Sequence, residues 1–112
     1  NNPMYLIRNN KLQIIKPDRM PIGIHANADV PFKNNNIDIQ NGDCFYLFSD
    51  GMADQFGGPK NKKFKYATLQ DLLLKVHKKT FPEQLNIIET TFNEWKGENE
   101  QVDDLLVIGF RL

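Results

Sequence analysis

Apolar residues recur in short β-rich runs over the first half of the chain and at helical spacing over much of the second. Residues 4–7 and 12–15 are two such runs, separated by Arg8-Asn9-Asn10-Lys11. Asparagine tolerates positive φ better than most residues, so Asn9-Asn10 predicts a two-residue hairpin turn. Pro17 and Pro21 break the pattern, after which Met20-Pro21-Ile22-Gly23-Ile24 reads as an extended apolar return. Residues 25–36 are polar and turn-rich, with Val30-Pro31-Phe32 as a candidate edge strand. Ile37-Asp38-Ile39 alternates, and Asn41-Gly42 signals a turn. Cys44-Phe45-Tyr46-Leu47-Phe48 is apolar at every position, the pattern of a central strand covered on both faces. From Ser49 to Lys65 runs a long irregular stretch containing Gly51, Gly57, Gly58 and Pro59, of a length that tends to be functional or mobile.

Two amphipathic helices are predicted next. Thr68 is placed to cap the first, with Asp71 three residues on, and Leu69, Leu72, Leu73 and Val76 share one face. Pro82 suits the first turn of the second helix, where Leu85, Ile88, Phe92 and Trp95 form a stripe that Gly97 ends. Each stripe needs a sheet or another helix to cover it. The architecture that satisfies both is α+β, a mainly antiparallel sheet with two helices on one face. A final apolar run, from Leu105 to Phe110, supplies a closing strand.

At 112 residues the chain encloses a single modest core. Fourteen basic residues balance fourteen acidic ones, so no global field draws the protein to nucleic acid or an anionic membrane. Any charge-driven recognition is local. The one cysteine, Cys44, excludes an internal disulfide and a cysteine-rich zinc module, and its apolar setting makes it a core residue. No apolar stretch approaches the ~20 residues of a membrane helix, so a soluble domain in a reducing compartment is expected. The opening Asn1-Asn2-Pro3 lacks an initiating methionine, which predicts a piece of something longer.

The chemistry-bearing positions are acidic and stand at strand ends. Ser49-Asp50-Gly51 follows the central run, and Asp103-Asp104 precedes the closing one. Magnesium and manganese favour oxygen ligands and keep several waters, so one or two carboxylates from separate elements make half a shell. Asp50 and Asp103 meet that requirement. They equally suit plainer roles, Asp50 in an Asp-Gly turn and Asp103 at the solvated start of a strand. Asp54 reads as a solvated loop residue, and Asp43 as a turn residue beside Gly42. His25 and His77 have no metal-ligand spacing, and His77 near a helix C-terminus is favourable for dipole reasons alone. Lys60, Lys62, Lys63 and Lys65 read as a solvated charge run on a loop.

Taken in order, Met20-Pro21-Ile22-Gly23-Ile24, Gly42-Asp43, Ser49-Asp50-Gly51-Met52 with Asp54, and Gln101-Val102-Asp103-Asp104 before a closing strand resemble a known family. The resemblance, which spans nearly the whole chain, is to the carboxy-terminal half of a SpoIIE-like, PPM-type (type 2C) protein serine/threonine phosphatase. It implies that residues 1–112 are the carboxy-terminal portion of one such domain and contribute to an α-β-β-α sandwich. It also implies that Asp50 and Asp103 are ligands of a two-ion magnesium or manganese site that hydrolyses phosphoserine or phosphothreonine through a metal-bound water. Asp54 and Asp104 would then support the site, and Lys62 and Lys63 would lie on a substrate loop.

The chain departs from the family pattern in two respects. The first acidic motif, which supplies the aspartate bridging the two ions, has no counterpart here, and Leu106 stands where members commonly carry a hydroxyl residue. This chain alone is therefore expected to be nearly inactive. The resemblance further implies a cytoplasmic output domain in bacterial signalling, with a phosphorylated anti-sigma-factor antagonist as the kind of substrate. No nucleic-acid partner is expected, and self-association through the truncated face is. The alternative is a non-catalytic binding or regulatory module with the same fold.

Overall fold

A computed structural model of the protein describes residues 2–16 and 39–112. The expected return at residues 20–24, the edge strand at 30–32 and His25 lie outside the described residues. Among the described residues six strands and two helices follow in the order β1 (Met4–Arg8), β2 (Lys11–Ile15), β3 (Cys44–Phe48), β4 (Phe56–Gly57), β5 (Lys62–Lys63), α1 (Tyr66–Val76), α2 (Phe81–Lys96) and β6 (Val107–Arg111). Asn9 and Asn10 both take positive φ, 52° and 60°, which gives the primed turn that matches strand twist. That turn sets the β1–β2 register, with Arg8 opposite Lys11 and Met4 opposite Ile15.

The main sheet is wholly antiparallel and has the order β2-β1-β3-β6. β3 is central, as its continuous apolar pattern predicts. One face carries Tyr5, Ile7, Cys44, Tyr46 and Phe48, which pack against Leu69, Leu72, Leu73 and Val76 of α1 and Ile88 and Phe92 of α2. Fully burying each such leucine stabilises the fold by about 1.5–3 kcal/mol. On the opposite face Leu6 and Phe45 are buried, and Phe110 stacks on Phe45 with ring centroids 5.0 Å apart. Leu47, Ile108 and Phe110 on that face remain 42%, 47% and 41% exposed.

Both helices form where expected, but three details differ. α1 begins at Tyr66, and Thr68 caps nothing. Lys65 N–H donates to Ala53 O (2.8 Å), which fixes the chain three residues ahead of Thr68 and starts the helix at Tyr66. In α2, Leu85 is 64% exposed, while Gln84 takes the buried position and bonds Tyr46 Oη (2.7 Å). The buried positions of α2 are Gln84, Ile88 and Phe92, four residues apart, so Leu85 sits at the solvent edge of that face and Gln84, with partners at both ends of its amide, fills the buried place. The start of α2 is a Thr-Phe-Pro-Glu capping-box sequence, with Thr80 Oγ1 accepting from Glu83 N–H at 3.4 Å.

The third difference is the stretch from Ser49 to Lys65, which has a defined conformation. Met52, Ala53, Gln55 and Phe64 are buried, and β4 pairs with β5 in a small hairpin. Trp95 anchors the hairpin: its indole donates to Gln55 O (2.9 Å), its carbonyl accepts from Gly58 N–H (3.0 Å), and its ring meets Phe64 edge-on. A Cβ at Gly57 would sit 1.7 Å from Trp95 O, so only glycine allows this approach.

Candidate metal centre

The exit of β3 is fastened to the entry of β6 through Ser49. Its N–H donates to Leu106 O (2.9 Å), and its hydroxyl donates to Asp104 O (2.7 Å) while accepting from Leu106 N–H (2.9 Å). Leu106, where the family pattern favours a hydroxyl, takes part through its backbone alone; its side chain is exposed. Just beyond, Gly51 passes so close to the Asp104 backbone that a Cβ would lie 2.2 Å from Asp104 O. These contacts bring the loop carrying Asp50 against the loop carrying Asp103, at one end of the central strand pair.

The two carboxylates are held differently. Asp50 is half-buried, and its Oδ1 accepts from the Tyr66 hydroxyl at the first residue of α1. Burial first, and then the Asp50 hydrogen bond and charge, push the Tyr66 hydroxyl well above its ordinary pKa and keep it a donor. Asp103 is exposed, and its Oδ1 accepts from Asp104 N–H (2.8 Å). Each carboxylate thus commits one oxygen and keeps another without a protein hydrogen bond among the described residues.

That donor set suits a hard, well-hydrated cation. Oxygen ligands from two loops leave room for the waters that magnesium and manganese retain. Among the described residues no group of three or more His, Cys, Asp or Glu side chains converges on one point. Asp50 and Asp103 therefore do not enclose an ion by themselves.

The remaining acidic candidates separate. Asp54 shares the Asp50 turn, with its N–H donating to Asp50 O (2.9 Å), but its carboxylate pairs with Lys63 at 3.7 Å. Asp104 works through its backbone, which receives Ser49 and steadies Asp103. Lys62 and Lys63 lie exposed on β5, and Lys63 also sits 5.9 Å from the Phe56 ring. Trp95 anchors their hairpin at Gln55 and Gly58.

Asp43 is more than a turn residue. It is 1% exposed and receives Arg8 Nε (2.9 Å), Arg8 Nη2 (2.6 Å) and Gln40 N–H (2.9 Å). The Arg8 hydrogen bonds hold its carboxyl at about 2, below the ordinary 3.8, against an opposing effect of burial. It precedes β3 whereas Asp50 follows it, so it braces the far end of the strand. His77 is buried, and burial first, then the Lys78 and Arg111 charges, lower its pKa, so the dipole argument for a cation there does not hold. Arg111 supplies that charge instead, donating through Nη2 to His77 O and to Lys79 O (3.0 Å) at the end of α1.

Sequence reasoning missed Tyr66 and the bridging role of Ser49. Tyr66 lies before the periodic stripe of α1 and carries no pattern of its own. For Ser49 a signal existed, since a small hydroxyl residue beside an acidic strand end bonds neighbouring backbone readily.

Residues 1–112 match the family described as Stage II sporulation protein E (SpoIIE). Among solved structures, the SiaA-PP2C domain of Pseudomonas aeruginosa is similar to this chain, with 29% identity and a TM-score of 0.81. The match covers 98% of this chain and 42% of that one, so the chain spans less than half the length of the solved domain. No curated protein matches.

Proposed function

The chain belongs to the SpoIIE family, and from that membership we propose that it is the carboxy-terminal part of a PPM-type, metal-dependent phosphoprotein phosphatase domain. The observation that carries the proposal is the pairing of Asp50 and Asp103 on loops that Ser49 fastens together, each with an oxygen that no described residue hydrogen-bonds. The reaction is hydrolysis of phosphoserine or phosphothreonine. Two magnesium or manganese ions, when bound, supply a water of lowered pKa and neutralise charge on the phosphoryl oxygens. Asp50 and Asp103 hold one side of that centre. Tyr66 fixes the orientation of the Asp50 carboxylate, and the Asp104 amide does the same for Asp103. Lys62 and Lys63, exposed on β5, attract the anionic substrate.

The rest of the ligand set belongs to a preceding segment that completes an α-β-β-α sandwich over Leu47, Ile108 and Phe110. Left uncovered, that face costs about 25 cal/mol per Å² of apolar surface and favours self-association. The substrate class is a phosphorylated protein, of which an anti-sigma-factor antagonist is the example the family resemblance offers, and the setting is cytoplasmic signalling. Among the described residues no helix is long and apolar enough to cross a membrane.

A second reading, a non-catalytic module of the same fold, is favoured by one fact: the described residues bring no third ligand to the pair. Manganese-dependent dephosphorylation of a phosphoserine peptide by the full-length protein separates the two. Loss of about 100-fold or more in turnover on Asp50→Asn and on Asp103→Asn is expected, since each carboxylate contributes several kcal/mol through the ions it holds. Turnover unaffected by both substitutions, or absent from the native protein, refutes the enzyme.

A further inference from the structure

We infer that Gln55 is a positioning residue that sets the spacing between the Asp50 and Asp103 carboxylates, an inference that rests on the metal-site reading above. The Gln55 side chain is completely buried, yet it belongs to no apolar stripe. Its Nε2 donates to Phe56 O (3.0 Å) and Glu100 O (2.9 Å), and its Oε1 accepts from Val102 N–H (3.4 Å). Both donors and the acceptor of the amide are therefore used. Its backbone carbonyl receives the Trp95 indole (2.9 Å) and Phe64 N–H (2.9 Å), which hold the residue itself in place.

The positions of these bonds matter more than their number. Gln55 grips Glu100 and Val102, and Ser49 grips Asp104 and Leu106. Asp103 lies between the two gripped segments, and Asp50 lies between the two gripping residues. Each carboxylate is thus bracketed by the same pair of cross-links, one on its strand side and one on its loop side. Ser49 alone leaves a hinge at residue 104 about which residues 100–103 can swing away. Gln55 closes that hinge. A purely structural filler would need volume there, not an amide with partners in both loops.

The test uses the full-length protein and manganese binding followed by electron paramagnetic resonance, with hydrogen exchange at residues 100–104 as a second readout. Gln55→Met keeps length and volume but removes the amide. It is expected to weaken manganese binding about 10- to 100-fold, as loss of groups that orient metal ligands does, and to speed exchange at Val102. Ile88→Ala, in the helix-facing core, is the comparison for stability loss alone and is expected to leave manganese affinity within twofold. If Gln55→Met does not fold, Val102→Pro removes the amide that Oε1 accepts from an exposed position and is expected to lower affinity in the same direction. The inference is overturned if the native protein binds manganese and Gln55→Met or Val102→Pro binds it equally well. It is also overturned if Ile88→Ala lowers affinity as much as Gln55→Met. Absence of manganese binding by the native protein overturns it too, and identifies the metal-site reading as the part that failed.

Discussion

Gly51→Ala places one methyl group where the two acidic loops touch. The added Cβ would lie 2.2 Å from Asp104 O and 2.7 Å from its carbonyl carbon, where real Cβ atoms keep at least 3.0 Å. The obstacle is backbone, so it cannot be relieved by a rotamer change, and the Asp104 segment must retreat by roughly 0.8 Å. Gly51 has no positive φ to complicate the substitution. Overpacking of this kind costs about 1–3 kcal/mol, which in a domain of about 150–250 residues lowers Tm by roughly 2–12 °C. The same retreat moves Asp103 relative to Asp50, and a misplacement of about 1 Å at a catalytic centre costs on the order of 100-fold in rate. Thermal melting and manganese-dependent turnover of the full-length protein measure the two effects side by side. Gly42→Ala is the control: nothing lies within 4 Å of its Cβ, but its φ of +89° carries a backbone cost of about 1–2 kcal/mol. It should lose stability and keep its rate. Gly51→Ala with Tm within 1 °C of the native protein and turnover within about twofold would refute the packing of the loops described above.

Other substitutions probe separate parts of the structure. Tyr66→Phe removes the hydroxyl that Asp50 accepts from and should weaken manganese binding about tenfold or more while leaving melting nearly unchanged. Because the Asp43 carboxyl is held at about 2 in the folded state, it contributes stability that is fully present above about pH 4 and is lost as pH falls through 2. Urea titrations of Asp43→Asn across pH 2–6 should therefore converge on the native curve at the acid end and lie below it at pH 6; parallel curves would contradict the Arg8 pairing. Phe92→Ala should cost about 3–5 kcal/mol in chemical denaturation, whereas Leu85→Ala, at an exposed site, should stay within about 0.5 kcal/mol.

The elements that hydrophobic period alone defines were readable in the sequence. The primed turn at Asn9-Asn10, the central strand ending at Phe48 and the α1 stripe all reflect local chemistry repeated along the chain. What escaped was set by tertiary bonds between distant residues. Thr68 had the right chemistry for a cap, but the Lys65–Ala53 bond started the helix earlier. Leu85 was apolar and near the stripe, yet the buried position went to Gln84 because Tyr46 offered it a partner. The candidate site divided in the same way. Asp50 and Asp103 stood out as acids at strand ends, while the groups that hold their loops, Ser49, Gln55 and Tyr66, are ordinary residues that gain meaning only from their neighbours in space.

The register of β6 on β3 also fixes when the acidic pair can come into being. About sixty residues separate Phe48 from Val107, yet these two stand opposite one another in the finished sheet. At synthesis rates of roughly 5–20 residues per second, the central strand waits on the order of 3–12 s for that partner. During this interval the helices can already collect on β3, whereas Asp103 has no surface to dock on. The acidic pair is consequently the last part of this sheet to mature, and a chain cut short before β6 would retain much of its apolar core without the pair.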